Sequence, residues 1–456
     1  MGTYYSEIPT YCKNVLGLLN EAGYECYVVG GAVRDLLMNK TPADFDITTS
    51  AFPDETIEVL EKAGIKYIPT GLKHGTVMAV TEGKHLEITT FRVDGKYTDM
   101  RHPDEVGFTR SIEEDVARRD FTINAMYLDR EGNVKDIVGG MDDISKGIIR
   151  TVGDPDVRFT EDALRIMRGL RFAAVTGFAI EEETALAMAR NSHLIRSISV
   201  ERIMTEFNGL VVAPFASKVI RNYVNILSVI IPELAKCKGF DQRTKYHDKD
   251  VLEHTLSVLD GIPADEDGRR NLELALAAVF HDIAKPDCFY LGDGGVGHMK
   301  GHPARSAAIA DRFLEEYHYP SAVRKNVVKL ISYHDYYPAE TRKAVHRYLC
   351  NCGVEFAGTL FELQRADILA HSAVGMKRMD QLEETIRIKK ELEEAGEVFR
   401  IEDLEVSGGD VVKCGVAPGP EVSRILNRLW DEYIDGLIPN ERAQLLERIL
   451  TFTKCS

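Results

Sequence analysis

Three groups of residues in this sequence have types and spacings that could do chemistry. The first is Asp44-Phe45-Asp46. Side chains alternate faces along an extended segment, so Asp44 and Asp46 point one way while Phe45 and Ile47 point the other. Two carboxylates held side by side repel each other unless a cation lies between them. Mg²⁺ is the expected ion, because it takes carboxylate and phosphate oxygens together. Held against a triphosphate, it can activate an attacking hydroxyl. Just upstream stands Gly30-Gly31-Ala32-Val33-Arg34-Asp35, between an apolar strand and a helix. Glycines there let backbone N–H groups approach phosphate, the helix N-terminus favours anions, and Arg34 adds a fixed cation. A bare Asp-x-Asp pair reads first as a solvated strand edge; the glycine turn upstream shifts the reading to phosphate chemistry. Glu87 shares a strand face with His85 and Thr89, and is either a third acid or a surface residue.

The second group is Glu161, Asp162, Arg165, Arg168 and Arg171. With Thr160 as expected N-cap, the helical period brings Asp162, Arg165 and Arg168 near one face and makes Glu161 and Arg165 an i,i+4 pair. An Asp acceptor beside an Arg donor can match the Watson–Crick edge of a base, while further arginines hold phosphate or stack on the ring. The plainer reading is an ion-paired helix surface. The third group is histidine-rich: His254, His281-Asp282, His298, His302, His334 and, farther on, Asp367. Neutral imidazole with carboxylate suits a divalent transition metal, although scattered histidines also occur as core or surface residues.

The elements that must position these groups follow from the pattern. The first 150 residues read as mixed α/β, with strands at Tyr27–Val29 and Phe45–Thr48, helices at Ala32–Met38 and Pro53–Ala63, and a hairpin of Thr76–Val80 with His85–Thr90 around Glu82-Gly83-Lys84. The polar stretch Asp94–Pro103 reads as a mobile loop. From about Thr160 the pattern is helical almost to the end, with boundaries expected near 236–250 and 372–400. At ~150 residues per domain, 456 residues suggest roughly three domains or more.

Composition excludes several classes. The longest apolar run, Leu274–Phe280, is far below the ~20 residues of a membrane span. No basic-then-apolar leader opens the chain, so secretion is not expected; Met1-Gly2 with Ser6 matches only the loose myristoylation pattern. The eight cysteines include no Cys-x-x-Cys pair, which argues against a disulfide framework or a standard zinc site and fits a reducing cytoplasm. The net charge of −16 means that a nucleic-acid partner must be held by a local basic surface.

The run Val29–Asp35 followed by Asp44–Asp46 resembles the class II tRNA nucleotidyltransferase and bacterial poly(A) polymerase family, within the polymerase-β-like superfamily. The resemblance continues in register through Arg118–Ala125, Asp136–Asp143 and Arg158–Arg168, over about the first 210 residues. Ser199–Ile203, Ser407–Asp410, Pro418–Pro420 and Asn440–Arg442 add shorter matches. It implies an α+β fold: a five-stranded polymerase-β-like head (1–150), then all-α neck (151–240), HD (241–372) and tail (373–456) segments. It implies that Asp44 and Asp46 hold Mg²⁺, that Gly31 and Arg34 contact the triphosphate, and that Arg119, Asp120 and Asn124 shape the ribose and phosphate pocket. It also implies that Glu161-Asp162-x-x-Arg165 selects CTP or ATP without a nucleic-acid template, helped by Arg168 and Arg171. The implied activity is addition of C, C and A to the 3′ end of tRNA, releasing pyrophosphate. A poly(A) polymerase or an A-only enzyme shares nearly every motif and stays open. So do a phosphohydrolase whose head merely binds RNA, and a catalytically silent RNA-binding protein.

His254, His281-Asp282 and Asp367 resemble the H…HD…D signature of the HD phosphohydrolase superfamily, and Asp282-Ile-Ala-Lys-Pro286 resembles its usual continuation. Gly301-His302 and His334 fall where two-metal members carry extra ligands. This resemblance implies a divalent transition metal and opens hydrolysis of a phosphomonoester or cyclic phosphodiester by metal-activated water.

Overall fold

The structure, a computed structural model, describes residues 3–69, 71–94 and 106–454. Met1-Gly2, most of the expected loop from Asp94 to Pro103 and Cys455 lie outside the described residues. The chain divides into two compact units. One contains the residues up to Ala235 with Glu266–Arg269 and Glu315–Tyr319; the other contains the remainder. The stretches expected as head and neck fall in the first unit except for 236–240, and those expected as HD and tail fall in the second except for 266–269 and 315–319. The charged stretch near 236–250 begins at the unit boundary, whereas the one expected near 372–400 is a helix, Arg378–Glu394, inside the second unit.

The first unit is built on a mixed sheet of seven strands, not five. These are β1 (Cys26–Val29), β2 (Asp46–Thr49), β3 (Lys66–Ile68), β4 (Thr76–Thr81), β5 (Lys84–Thr90), β6 (Met126–Leu128) and β7 (Val134–Asp136), in the order β3-β4-β5-β2-β1-β6-β7. The strands that pattern reading passes over are three residues long. Met126, Tyr127 and Leu128 are all buried, so no alternation marks them. β2 and β5 run parallel, with Ile47 opposite Ile88, and every other neighbouring pair is antiparallel. The β4–β5 hairpin turns on Glu82 (φ 51°) and Gly83 (φ 72°), the left-handed pair a two-residue turn requires. Val28, Ile47, Val77, Leu86 and Ile88 form the core of the sheet, against Leu16 and Leu19 of helix Thr10–Glu21.

Four helices of this unit carry site residues: α1 (Gly31–Leu37), α2 (Ile112–Ala117), α3 (Pro155–Glu161) and α4 (Leu164–Thr176); α5 (Val200–Val211) packs on α4. Thr160 is not an N-cap. Asp154 caps α3, accepting from Asp156 N at 2.8 Å, and Pro155 occupies the first helical position, where its missing N–H costs nothing. Thr160 lies in the last turn, its hydroxyl donating back to Asp156 O. The backbone then extends at Asp162 (φ −138°), whose Oδ1 accepts from Leu164 N as the chain enters α4.

The second unit is helical apart from a two-stranded ribbon, Tyr290–Leu291 with Gly297–His298. Its site-bearing helices are α6 (Val251–Gly261), α7 (Leu272–Phe280), α8 (His302–Glu316), α9 (Ser321–Tyr333) and α10 (Val354–Ala370). All of Leu274–Phe280 is buried, which is why α7 reads as a continuous apolar run. A separate core of Val411, Leu429, Leu445 and Ile449 closes the C-terminal helices. Among the described residues the cysteines are free, and no helix is long and apolar enough to cross a membrane.

Candidate active site and candidate metal centre

The expected alternation around the acid pair holds. Phe45 and Ile47 are buried while Asp44 and Asp46 are exposed, Asp44 immediately before β2 and Asp46 its first residue. The β2–β5 register places Glu87 beside Asp46 on the neighbouring strand. Partial burial, then the charges of Glu87 and Asp44, push the Asp46 carboxyl up to about 6. A crowded carboxylate of this kind is stabilised by a divalent cation, and hard oxygen donors fit Mg²⁺. The three acids do not close into a tight ligand triad: among the described residues, the groups of three side chains converging within 4.8 Å all lie in the second unit. An ion shared between a carboxylate pair and phosphate oxygens does not need a third protein ligand.

Gly30, at φ 75° and ψ −136°, takes a conformation open only to glycine, turning β1 into α1. Arg34 on α1 donates to Asn124 Oδ1 at 2.9 Å and pairs with Asp35 at 2.8 Å, so Gly31, Arg34 and Asn124 come together. Arg119 is fixed from below by Asp115 on α2. Asp115 is fully buried, binds Arg118 at 2.5 Å and Arg119 at 2.8 Å, and accepts from the Tyr127 hydroxyl at 2.8 Å. Burial opposes this carboxylate, but the two guanidinium groups outweigh it and hold Asp115 far below its usual range.

The neck arginines are held the same way. Arg168 pairs with Asp120 at 2.8 Å, and both Arg168 and Arg171 reach the buried Glu206 of α5. Burial works against the Asp120 carboxylate, and Arg168 overcomes it, keeping the group below its usual range. Arg34, Arg168 and Arg171 all stand over the buried ring of Phe172, at 5.4, 5.1 and 4.5 Å from its centroid. Arg118, Arg119, Asp120, Asp162, Arg165 and Arg168 line a cavity of about 220 Å³. Glu161 does not line it. Its two oxygens take Arg158 at 2.6 Å and Arg165 at 2.8 Å, so Glu161 orients Arg165 while Asp162 is the acid at the cavity, its Oδ2 shared with Arg202 at 3.1 Å. Asp115, Phe172 and Glu206 escape sequence reasoning. Asp115 had a signal, its i,i+3 and i,i+4 spacing to the arginine pair; Glu206 had none, being 35 residues from Arg171.

The structure brings six of the seven residues of the histidine-rich group together. Asp282 is the hub. Its Oδ2 faces His254 at 3.3 Å and His281 at 3.1 Å, and its Oδ1 faces His302 at 3.1 Å and His334 at 3.7 Å. Asp367 lies 2.9 Å from His254 and 3.7 Å from His281. His298 is exposed and stands outside this group. The Nδ1 atoms of His281, His302 and His334 sit 2.7–2.9 Å from the backbone carbonyls of Ala278, Met299 and Ile331. A carbonyl only accepts, so each Nδ1 carries the proton and each Nε2 turns a lone pair inward. Both Asp282 oxygens and His302 Nε2 are buried without an aligned hydrogen-bond partner, so they are lone-pair donors turned toward one another inside the protein. Burial lowers the His281 imidazole, but Asp282 and Asp367 prevail and raise it to about 10, so the two carboxylates call for a positive partner. Imidazoles and carboxylates together are a donor set that would fit divalent transition-metal ions. His247 and His371 also join the cluster; burial pushes them down to about 2 and about 4. His371 was legible as Asp367-x-x-x-His371, one helical turn apart. Beside the cluster opens a cavity of about 940 Å³, with Arg243, Lys245, Lys300 and Arg378 in its wall.

Residues 26–150 match the family model of the poly(A) polymerase head domain, residues 177–238 a probable RNA and SrmB binding site of polymerase A, and residues 304–449 the tRNA nucleotidyltransferase domain 2. A CCA-adding enzyme of Leuconostoc mesenteroides is 33% identical over 435 residues, covering 94% of this chain and 93% of that one. One from Geobacillus thermodenitrificans is 47% identical over 223 residues, 49% of this chain and 54% of the relative. The crystal structure of the Bacillus stearothermophilus CCA-adding enzyme in complex with CTP superposes with a TM-score of 0.71 at 28% identity, covering 100% of this chain and 99% of that one. With the glycine turn, the acid pair and the arginine-lined neck all in one unit, the chain belongs to the family of CCA-adding enzymes and bacterial poly(A) polymerases.

Proposed function

We propose that this chain adds C, C and A to the 3′ end of tRNA from CTP and ATP. The observation that carries this is the ring of acid-held arginines facing a carboxylate whose charge is destabilised by its neighbours. Asp44 and Asp46 would hold Mg²⁺, which supplies charge neutralisation at the α-phosphate and at the leaving pyrophosphate. The remaining work falls to the protein. Gly31 and Arg34 seat the triphosphate, Asn124 orients Arg34, and Arg119 and Asp120 border the sugar and phosphates. Asp162 offers an acceptor and Arg165 a donor to the base edge, with Glu161 fixing Arg165 and with Arg168 and Arg171 adding positive charge. A preorganised donor set needs no rearrangement as charge develops in the transition state. The tRNA would be read by shape and backbone, as an enzyme serving every tRNA requires. Free cysteines accord with work in a reducing cytoplasm. The test is single-nucleotide incorporation on tRNAs trimmed by one, two and three nucleotides. CCA addition requires CTP to enter the two longer truncations and ATP only the shortest; ATP entering all three substrates would identify an A-adding or poly(A) enzyme.

A second reading concerns the second unit, where buried ligand atoms without hydrogen-bond partners converge beside a cationic cavity. His254, His281, Asp282, His302, His334 and Asp367 form an HD-type centre for two divalent transition-metal ions, which would supply an activated water. The substrate is a phosphomonoester or a cyclic phosphodiester, and a 2′,3′-cyclic phosphate on damaged RNA suits the partner of the first unit. Water-dependent opening of a 2′,3′-cyclic nucleotide to its phosphomonoester in Ni²⁺, Co²⁺ or Mn²⁺, abolished by His281→Ala, is the expected result; no ring opening with any of these ions would reject it.

A further inference from the structure

The histidine centre has more ligands than two ions need. Its donor atoms fall into three overlapping triads: His281 with Asp282 and His334, His254 with His281 and Asp367, and His247 with His254 and His371. Within each triad the atoms lie within 4.8 Å of one another. The two-ion reading uses His254, His281, Asp282, His302, His334 and Asp367 and leaves His247 and His371. His247 lies in the segment before α6, and His371 directly follows α10. Their rings are 4.5 Å apart between centroids, and they stand 4.8 and 5.2 Å from the ring of His254.

The third triad is also the part of the centre whose nitrogens have nothing to bind. Nδ1 of His247, His254 and His371 is in each case buried without a hydrogen-bond partner, whereas Nδ1 of His281, His302 and His334 is satisfied by a backbone carbonyl. The side chain of His371 is only 6% exposed, so bulk water does not satisfy it. Asp367 Oδ1 lies 3.7 Å from His371 Nε2 and brings a carboxylate to the same place. Lys285 is a cation already near. Its ammonium pairs with Asp282 at 2.6 Å and Gln242 at 3.0 Å, making only a long 3.4 Å contact to His247 Nε2. Imidazoles beside one carboxylate form a nitrogen-rich set, which suits a borderline transition-metal ion and not Mg²⁺ or Ca²⁺.

We propose that His247 and His371, beside His254 and Asp367, form a third position for a divalent transition-metal ion, so that the centre holds three ions. This rests on the two-ion reading of the same centre. The third ion shares its neighbours with the first two, so it is the most weakly held of the three.

The test is an ion count on the full chain carrying Asp44→Ala and Asp46→Ala, which removes the first unit's acid pair from the tally. Stripped with a chelator and titrated with Co²⁺ alone, this chain should show three equivalents by visible absorption and by elemental analysis, the last binding most weakly. Adding His247→Ala and His371→Ala, or His371→Asn alone, should leave two, with the circular dichroism spectrum unchanged. Two equivalents in the parent, or three persisting in the histidine variants, would overturn the third position and leave the ion pair standing. None or one in the parent would overturn the pair as well. The titration of the parent decides the matter even if a variant does not fold.

Discussion

Asp115 illustrates how much of the first site rests on a residue that touches no substrate. Its two oxygens hold Arg118, Arg119 and the Tyr127 hydroxyl from inside the protein. Removing one partner of a buried ion pair strands the other charge, at a cost of about 3–5 kcal/mol. Asp115→Asn should therefore lower the unfolding free energy by that order in a denaturant titration, and raise KM for CTP about tenfold, ~1.4 kcal/mol, as Arg119 loses its seat. The pH dependence has a definite sign. The folded carboxyl titrates far below the unfolded one, so its stabilisation is complete above the ordinary carboxylate range and is lost as pH falls through the folded value. The stability gap between the parent and Asp115→Asn should be level near neutrality and narrow below about pH 4. The acid pair itself gives a sharper result. Asp46→Asn should reduce CTP incorporation roughly a thousandfold or more, about 4 kcal/mol, with folding intact. Asp44, Asp46, Arg34 and Arg165 were legible because motif and strand period name them. Phe172 was not, since an aromatic on an apolar helix face reads as core until three guanidinium groups are found over its ring.

At the scale of elements, the neck helix α4 must approach the head closely for its arginines to reach Asp120. Gly169 makes that approach possible. A Cβ there would fall 2.2 Å from Met188 Cε and 2.8 Å from Phe121 Cζ, inside contact distance of both. Gly169→Ala gains helix propensity but overpacks this seam, so a net loss of about 1–3 kcal/mol is expected. A drop in thermal midpoint checks it, together with weaker nucleotide binding as Arg168 shifts. The break between α3 and α4 has a similar logic. A continuous helix through Thr160 would keep Asp162 in the backbone ladder; the extended turn at Asp162 aims it at the cavity and lets Oδ1 cap α4. Period reading missed the break because Glu161 and Arg165 still pair across it. It undercounted the sheet for a related reason: strands of three residues, buried on every side or lying at an edge, show no alternation.

For the whole molecule, a net charge of −16 repels RNA at long range, so tRNA must be gripped by local arginines and lysines. About six phosphate contacts would make affinity fall roughly a thousandfold between 50 and 200 mM salt, which filter binding measures. The two compact units carry separate chemistry, so their variants should separate as well. His281→Ala should leave CTP incorporation intact while ending metal-stimulated opening of the cyclic phosphodiester, and Asp46→Asn should do the reverse. The sequence alone determined the family and the α+β class, and named the acid pair and the six histidines and aspartates as candidates, because each is written in motifs or in spacing along one element. Only the tertiary structure decided that Glu87 lies against Asp46, that Glu206 anchors two arginines and that His247 joins the histidine cluster. Those relations depend on distances between segments far apart in the chain, and local periodicity carries no information about them.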